Sequence, residues 1–289
     1  MIERILIVGT GLLGASTGLA LQAHGFAGDV IGWDRDPAML QTALRRGALT
    51  SVAQDPLRAA KESDVILLAG PVLAIVEWMD RLAEMLSPHQ LVTDVGSTKQ
   101  QITQAAAEHY NRPGRAGFLP GHPMAGKEVS GAEHAEAELF RGAVWLFTRT
   151  DPFAPAPEAA ALAAEFRGLV EGFGCRTLDM DAARHDELLA WVSHLPQFLA
   201  TALSALFQDE FGADADLRAI GGRAMREMTR LGSSPYSMWR DVALSNTDHV
   251  EQALLALEQR LAHLRGILQT PALRDEFERA NLFRAAARP

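Results

Sequence analysis

Three glycines stand in the pattern Gly9-x-Gly11-x-x-Gly14, and an aspartate, Asp34, follows the last of them by 20 residues. Glycines at this spacing let a chain turn tightly, bring backbone N–H groups against an anion and pack a helix close to a strand. A carboxylate about 20 residues further on is placed to hold a ribose. Three other segments carry groups able to move protons or bind charge: Asp94-Val95-Gly96-Ser97-Thr98-Lys99, Gly121-His122-Pro123-Met124-Ala125-Gly126-Lys127-Glu128 and Ser193-His194-Leu195-Pro196-Gln197. Imidazole exchanges protons near neutral pH, and a serine hydroxyl can share a hydrogen bond with it. Each segment also has a plain structural use. Ser97 or Lys99 would cap a following helix, His122 would serve as a hydrogen-bonded turn residue, and Pro196 would kink a helix.

The hydrophobic pattern supplies a scaffold for these groups. Residues 4–8 (RILIV) read as a short buried strand entering the glycines, and residues 15–23 as the helix leaving them. Further strands are expected at 30–34, 65–69 and 91–95, with helices at 37–46 and 72–86 between them. This alternation predicts an α/β fold, a Rossmann-type doubly wound parallel sheet that binds ligands beyond the carboxyl ends of its strands. In that setting Gly9, Gly11, Leu12, Leu13 and Gly14 meet a dinucleotide pyrophosphate, and Pro71 follows a neighbouring strand end. Asp34 accepts from the adenosine ribose hydroxyls and repels a 2′-phosphate, which favours NAD over NADP. Arg35 pulls the other way, since it can pair with that phosphate.

Strands are also expected at 116–119, 143–147 and 175–179, a surface loop at 151–157 and a helix at 158–173. Past residue 180 the pattern is helical: 182–207, 214–230 and 247–269. The chain therefore divides into a dinucleotide-binding domain over 1–180 and an all-helical domain over 181–289. Val250, Leu254, Leu257, Leu261, Leu264 and Leu268 recur at steps of four and three, a stripe suited to packing within the protein or to a dimer interface.

Composition bounds the rest. With 289 residues, 48% hydrophobic and a net charge of −9, the chain has ample core and no basic character for nucleic acid or an anionic membrane. Cys175 is the single cysteine, so an intrachain disulfide is excluded, and no metal site is expected: His122, His185 and His194 lack ligand spacing. The chain opens directly into a strand without a signal-peptide pattern, and no apolar run of transmembrane length stands out, so cytoplasm is the expected compartment.

Gly-x-Gly-Leu-x-Gly, Gly96-Ser97-x-Lys99, Gly121-His122-Pro123-Met124-Ala125-Gly126, Ser193-His194-Leu195-Pro196 and the late Met238-Trp239-Arg240-Asp241 occur in the order of the prephenate/arogenate dehydrogenase family of tyrosine biosynthesis, which the chain resembles over nearly its whole length. The resemblance implies a cyclohexadienol substrate whose C4 hydride passes to NAD while its ring carboxylate leaves as CO2. Aromatisation drives the reaction, so positioning supplies much of the acceleration. It also implies that His122 accepts the proton of the 4-hydroxyl, that Ser97 binds this hydroxyl and steadies the histidine, and that Ser193 and His194 line nicotinamide and substrate. Arg230 matches the arginine that binds a substrate carboxylate, with Lys127 a weaker candidate for the other. On the residues alone, Arg223, Glu227 and Arg230 fall on one face of the expected helix.

Two features bear on the substrate side chain. Many prephenate-using relatives carry a second histidine where this chain has Gln197, and Glu227 could pair with the ammonium of arogenate. Both lean toward arogenate or toward both substrates. The chain begins at the first strand and ends about 20 residues after the last long helix, so neither a chorismate mutase domain nor an appended regulatory domain is expected. A homodimer through the helical domain is expected. The alternatives are another Rossmann-plus-helical enzyme, such as an imine reductase or a β-hydroxyacid dehydrogenase, and a redox-sensing module. The hydroxyacid enzymes use a lysine of the second domain, yet no lysine occurs after residue 180. A sensor would need no His122/Ser97 pair and would carry a DNA-binding element.

Overall fold

The structure, a computed structural model, describes residues 1–149 and 154–286. The first part of the expected loop at 151–157 lies outside the described residues, and Pro157 already belongs to a helix. In the first half, β1 (Arg4–Val8), α1 (Leu12–Ala23), β2 (Asp29–Trp33), α2 (Pro37–Arg45), β3 (Ser51–Val52), α3 (Pro56–Lys61), β4 (Val65–Leu68), α4 (Val72–Ala83), β5 (Leu91–Asp94), α5 (Gln100–His109) and β6 (Gly117–Leu119) follow in order. Their six strands form one parallel sheet in the order β3-β2-β1-β4-β5-β6. Ile5, Leu6, Ile7 and the whole of β4 are buried, as continuous apolar runs demand when helices cover both faces. Each such side chain contributes about 1.5–3 kcal/mol by leaving water. α2 and α3 both begin Asp-Pro: Asp36 and Asp55 accept from backbone N–H groups of the first turn, and proline presets the entry.

The strands expected near 145 and 177 do not extend this sheet. β7 (Gly121–Pro123), β8 (Val144–Thr148) and β9 (Arg176–Met180) form a separate three-stranded sheet, with α6 (Pro157–Gly172) between its last two strands. β7 pairs antiparallel with β8, setting His122 opposite Leu146. His122 thus sits on a strand, not in the turn its glycine and proline neighbours suggest.

Every regular element among the described residues after Asp181 is helical: α7 (Ala182–Leu189), a π turn (Ala190–His194), α8 (Leu195–Phe211), α9 (Ala215–Ile220), α10 (Arg223–Thr229), a 3-10 turn (Arg230–Ser233), α11 (Tyr236–Ser245), α12 (Thr247–Ile267) and α13 (Ala272–Ala286). The single helix expected at 214–230 is three pieces, because Gly221-Gly222 breaks it and Arg230 falls in the 3-10 turn. Arg223, Glu227 and Arg230 therefore do not share one helix face. The run from Ala182 to Phe211 is long and apolar enough by length and composition to cross a membrane, contrary to the sequence expectation. Its buried polar residues His185, Asp186, His194 and Gln197 mark it instead as the seam of a folded core. Pro196 lacks an N–H and its ring crowds the carbonyl four residues back. The π turn just before it widens the helix at that point, with Leu195 N–H reaching back to Ala190 O.

The cofactor turn is sterically exacting at Gly14, where a Cβ would fall 2.0 Å from Gly9 O. Replacing Gly14→Ala should lower the urea midpoint by the equivalent of about 1–3 kcal/mol, the usual cost of overpacking. An unchanged midpoint would show that α1 can move away from β1.

Candidate active site

The ends of β1, β4 and β5 all open on one edge of the parallel sheet. Gly9 takes the left-handed φ of +95° after β1, with its N–H on Trp33 O at 2.8 Å. A Cβ at Gly11 would meet nothing within 4 Å, so the turn leaves open space there. Gly11 opens α1 with no side-chain cap and no acid in the first turn, which leaves N–H groups for an anion at Leu12 and Leu13. Asp34 Oδ2 accepts from Thr10 N at 2.7 Å and Oδ1 from Asp36 N at 2.9 Å, so the carboxylate is fixed beside the turn with lone pairs to spare. Arg35 is exposed at the same edge, and Pro71 precedes the first residue of α4. These residues fit a dinucleotide.

Past β5 the chain buries a full ion pair. Lys99 Nζ lies 2.5 Å from Asp94 Oδ2, both side chains wholly inaccessible. Asp94 also accepts from Gly96 N at 2.7 Å and Gly121 N at 3.1 Å, which ties the Ser97 loop to the His122 strand. Burial lowers the Lys99 pKa against the opposing pull of Asp94. Ser97 is half-buried and free of hydrogen bonds among the described residues, while Thr98 next to it bonds Ser245 Oγ at 2.7 Å.

His122 is held by a residue that sequence reasoning did not put in the site. Its Nδ1 lies 2.9 Å from His185 Nε2, and His185 Nδ1 lies 2.8 Å from Asp186 Oδ1. Among the described residues the side-chain hydrogen bond to His122 comes from His185, and Ser97 makes none. Asp186 also accepts from the backbone N–H groups of Lys99 at 2.7 Å and Gln100 at 2.9 Å, so a carboxylate of the helical domain caps α5 of the first domain. Burial alone would raise the Asp186 pKa, but the bonds from His185, Gln100 and Lys99 hold it below the ordinary value. Burial pushes His122 well below the usual imidazole range, and His185, Lys99 and His194 push it the same way. Burial also lowers His185, with Asp186 opposing. A second cap crosses the domains where Asp241 Oδ2 accepts from Leu73 N, at the start of α4, at 3.3 Å.

His194 is buried on the π turn, next to half-buried Ser193. Asn246 Nδ2 donates to Asp186 O at 2.8 Å and lies 3.2 Å from His194 Nδ1. A carbonyl only accepts, so the amide nitrogen must face both, and His194 carries its hydrogen on Nε2. That atom has no partner, nor do Gln197 Oε1 and Trp239 Nε1, all buried among the described residues. The His194 and Trp239 rings lie 6.0 Å apart. An unpartnered buried polar group costs about 1–3 kcal/mol, so three together are groups poised for a ligand. Gln197 spends both amide hydrogens, on Leu231 O at 2.7 Å and Thr201 Oγ1 at 3.2 Å.

The remaining expected residues divide. Arg230 pairs with Glu128, just past the His122 strand, and so reaches the site's rim. Glu227 instead bonds Arg223 at 2.6 Å on the surface, both side chains well exposed, and does not join the buried cluster. Lys127 Nζ is taken by Glu136 at 2.6 Å and His134 O at 2.9 Å. Sequence reasoning missed His185, Asp186, Asn246 and Glu128. A signal existed for two of them: His185 and Asp186 stand four and three residues before buried Leu189, on the inward face of α7. No metal-holding group of His, Cys, Asp and Glu occurs among the described residues.

A glycine turn at a parallel sheet edge, joined to a helical domain that presents buried histidines, is an arrangement that suits the class of two-domain dinucleotide-dependent dehydrogenases. Residues 17–170 match the model of the prephenate dehydrogenase nucleotide-binding domain, and residues 181–282 that of the prephenate dehydrogenase dimerization domain. The chain belongs to the prephenate dehydrogenase family. It is 30% identical over 247 residues to the prephenate dehydrogenase of Lactococcus lactis subsp. cremoris, covering 85% of this chain and 66% of that relative. The prephenate dehydrogenase of A. aeolicus, solved with hydroxyphenyl propionate and NAD+, superposes with a TM-score of 0.87 at 27% identity, over 100% of this chain and 99% of that one. The arogenate dehydrogenase of Synechocystis gives 0.75 at 28% identity, over 98% and 99%.

The buried imidazoles link folding to pH. His194 is pushed down to about 4, chiefly by burial, so the folded state binds fewer protons than the unfolded chain, in which it titrates near 6.5. The resulting stability is complete above about pH 6.5 and is lost as pH falls toward 4. His194 alone accounts for about 3 kcal/mol, and His122 and His185 act in the same direction. Urea midpoints should fall steeply between pH 7 and 4.5, and less steeply for His194→Asn. A flat midpoint across that window would contradict the burial of these rings.

Proposed function

We propose that this chain catalyses the NAD-dependent oxidative decarboxylation of a cyclohexadienol in tyrosine biosynthesis, taking arogenate to tyrosine, prephenate to 4-hydroxyphenylpyruvate, or both. The observation that carries this reading is His122: buried, uncharged at neutral pH, tethered through Nδ1, and with no partner for Nε2 among the described residues. An imidazole so prepared suits uptake of a hydroxyl proton. NAD, when bound at the glycine turn and Asp34, supplies the acceptor for the hydrogen and electron pair leaving C4. His122 takes the 4-hydroxyl proton on Nε2, the ring carboxylate departs as CO2, and its bonding electrons complete the aromatic ring. His122 then returns the proton to the phenolate oxygen. Ser97, with its hydroxyl free, shares the 4-hydroxyl, and His194 offers Nε2–H to an acceptor on the ligand. Arg230 exchanges Glu128 for a substrate carboxylate.

Gln197 favours arogenate within this reading. Its nitrogen is fixed on Leu231 O, so buried Oε1 lacks a donor. The arogenate ammonium fills that need beside Arg230, whereas the keto group of prephenate does not. Glu227, turned to Arg223, lends this preference no support. The assay is NADH formation from NAD with each substrate. Turnover with neither defeats the assignment, and the ratio of kcat/KM values measures the preference. His122→Asn should lower kcat by about 10²–10⁴ with KM little changed, the range of acid–base assistance. Arg230→Ala should chiefly raise KM; the reverse pattern would mean their roles are exchanged.

The working form is a homodimer joined through the helical domain. Leu261 and Leu268 of the α12 stripe are 52% and 62% exposed in the single chain. A groove of about 930 Å³ between α8 and α12 is lined by Phe198, Ala202, Val250, Leu254, Leu257 and Leu261. An exposed apolar face of this kind on a domain of the dimerization type suits a second copy. Light scattering should give twice the chain mass, and Leu261→Asp should halve it. A wild-type monomer at micromolar concentration would refute this. The compartment is the cytoplasm.

A further inference from the structure

We propose that Asp186, acting through His185, fixes His122 in the tautomer with hydrogen on Nδ1 and a bare Nε2, so that two residues of the helical domain are positioning residues for the proton acceptor of the other domain. This rests on His122 being that acceptor.

The chain of bonds starts at α5. The N–H groups of Lys99 and Gln100 point at Oδ1 and Oδ2 of Asp186, at 2.7 and 2.9 Å. Backbone N–H groups only donate, so both oxygens are obliged to accept, and a helix N-terminus favours the anion. Oδ1 also receives His185 Nδ1 at 2.8 Å. An ionised carboxylate can only accept there, so the hydrogen of His185 is on Nδ1. Complete burial opposes a positive charge on this ring, and Lys99 close by adds to that against the pull of Asp186 and Asp94, with the net direction downward. His185 is therefore neutral and its Nε2 is a lone pair. That lone pair faces His122 Nδ1 at 2.9 Å, so the hydrogen between the rings belongs to His122. Every group facing His122 agrees: His185 accepts from it, and Lys99 and His194 disfavour its cation. The opposite tautomer sets two lone pairs against each other at 2.9 Å, or reverses His185 and sets a lone pair against the Asp186 carboxylate. When Nε2 takes a proton, the same Asp186 charge lies across His185 to stabilise the imidazolium, as in the histidine–aspartate pairs of hydrolases.

The sequence alone hides this chain of bonds, because its members come from residues 99–100, 122 and 185–186, brought together only where α7 docks on α5 and reaches β7. It also separates His122 from His194. Asn246 fixes the latter as a Nε2–H donor, so the site holds one imidazole that accepts and one that donates.

The test uses the full-length enzyme. Asp186→Asn should lower kcat by about 10²–10³ with KM within threefold, because the carboxamide lacks the charge that stabilises the imidazolium of His122 across His185. His185→Gln retains an acceptor oxygen for His122 Nδ1 and should keep kcat within about tenfold of wild type, whereas His185→Phe should lose about 100-fold. Equal loss in the Gln and Phe variants, or wild-type kcat in Asp186→Asn, overturns the proposal; if Asp186→Asn fails to fold, the His185 pair decides. ¹⁵N-histidine spectra, with the His122 signals assigned from His122→Asn, should show a protonated Nδ1 and an unprotonated Nε2 in the wild type. A wild-type His122 bearing hydrogen on Nε2 also overturns it. The spectra need no turnover, so they stand even if neither cyclohexadienol reacts, which would defeat the proposed function instead.

Discussion

One buried carboxylate organises this molecule. Asp186 belongs to the helical domain, yet its oxygens complete the first turn of α5 in the nucleotide-binding domain and hold His185 as well. Burying a charge costs several kcal/mol, and three charge-assisted hydrogen bonds, worth about 1.5–3 kcal/mol each, offset that cost only while both domains are in register. Asp241 repeats the device at α4. Neither helix carries its own side-chain cap: Pro71 and Lys99 occupy the capping positions and cap nothing. The two helices that flank the site are thus finished by the opposite domain. Separating the domains would leave N–H groups unsatisfied on one side and carboxylates exposed on the other. The seam is closed by polar complementarity, not by apolar area alone, and that suits a cleft through which ligands must pass.

Much of this was legible in the chain. Strands β1, β2, β4 and β5 announce themselves as short apolar runs, and the glycine turn lies where a parallel sheet would use it. The expected strands near 145 and 177 exist, but their partner is β7, a three-residue strand around His122 too short to show a period. The helix at 214–230 failed at Gly221-Gly222, where local backbone cost outweighed an otherwise helical pattern. The motifs gave the identity of His122, His194 and Gln197 but not their partners. Long-range pairs such as His122–His185 or Asp186–Gln100 leave no local trace, because nothing in their spacing couples residues more than 60 positions apart.

The helical domain has two faces with different tasks. One carries His185, Asp186, His194 and Gln197 into the seam. The other leaves the leucines of α12 bare, together with Trp191 and Val192 on the π turn. Polar residues buried inward and apolar residues exposed outward invert the usual plan of a helical domain. This inversion explains why the helix from Ala182 to Phe211 reads as apolar enough for a membrane while carrying the site's most polar cluster.

The π turn at Ala190–His194 has a consequence for how such a helix could be altered. It accommodates one more residue than α geometry would place in the same rise, and so sets the phase between the His185–Asp186 pair before it and His194 and Gln197 after it. Converting the turn to ordinary α geometry with the same number of residues would rotate one pair relative to the other by about 100°, whereas deleting a single residue there would restore an α-helix with the two pairs still in phase. Substitution at those positions changes side chains one at a time; straightening the turn at constant length would swing half of the site out of the seam at once. A relative one residue shorter at this turn would therefore keep the cleft on an unbroken α-helix, so a single-residue gap is the one change of length the helix can absorb here.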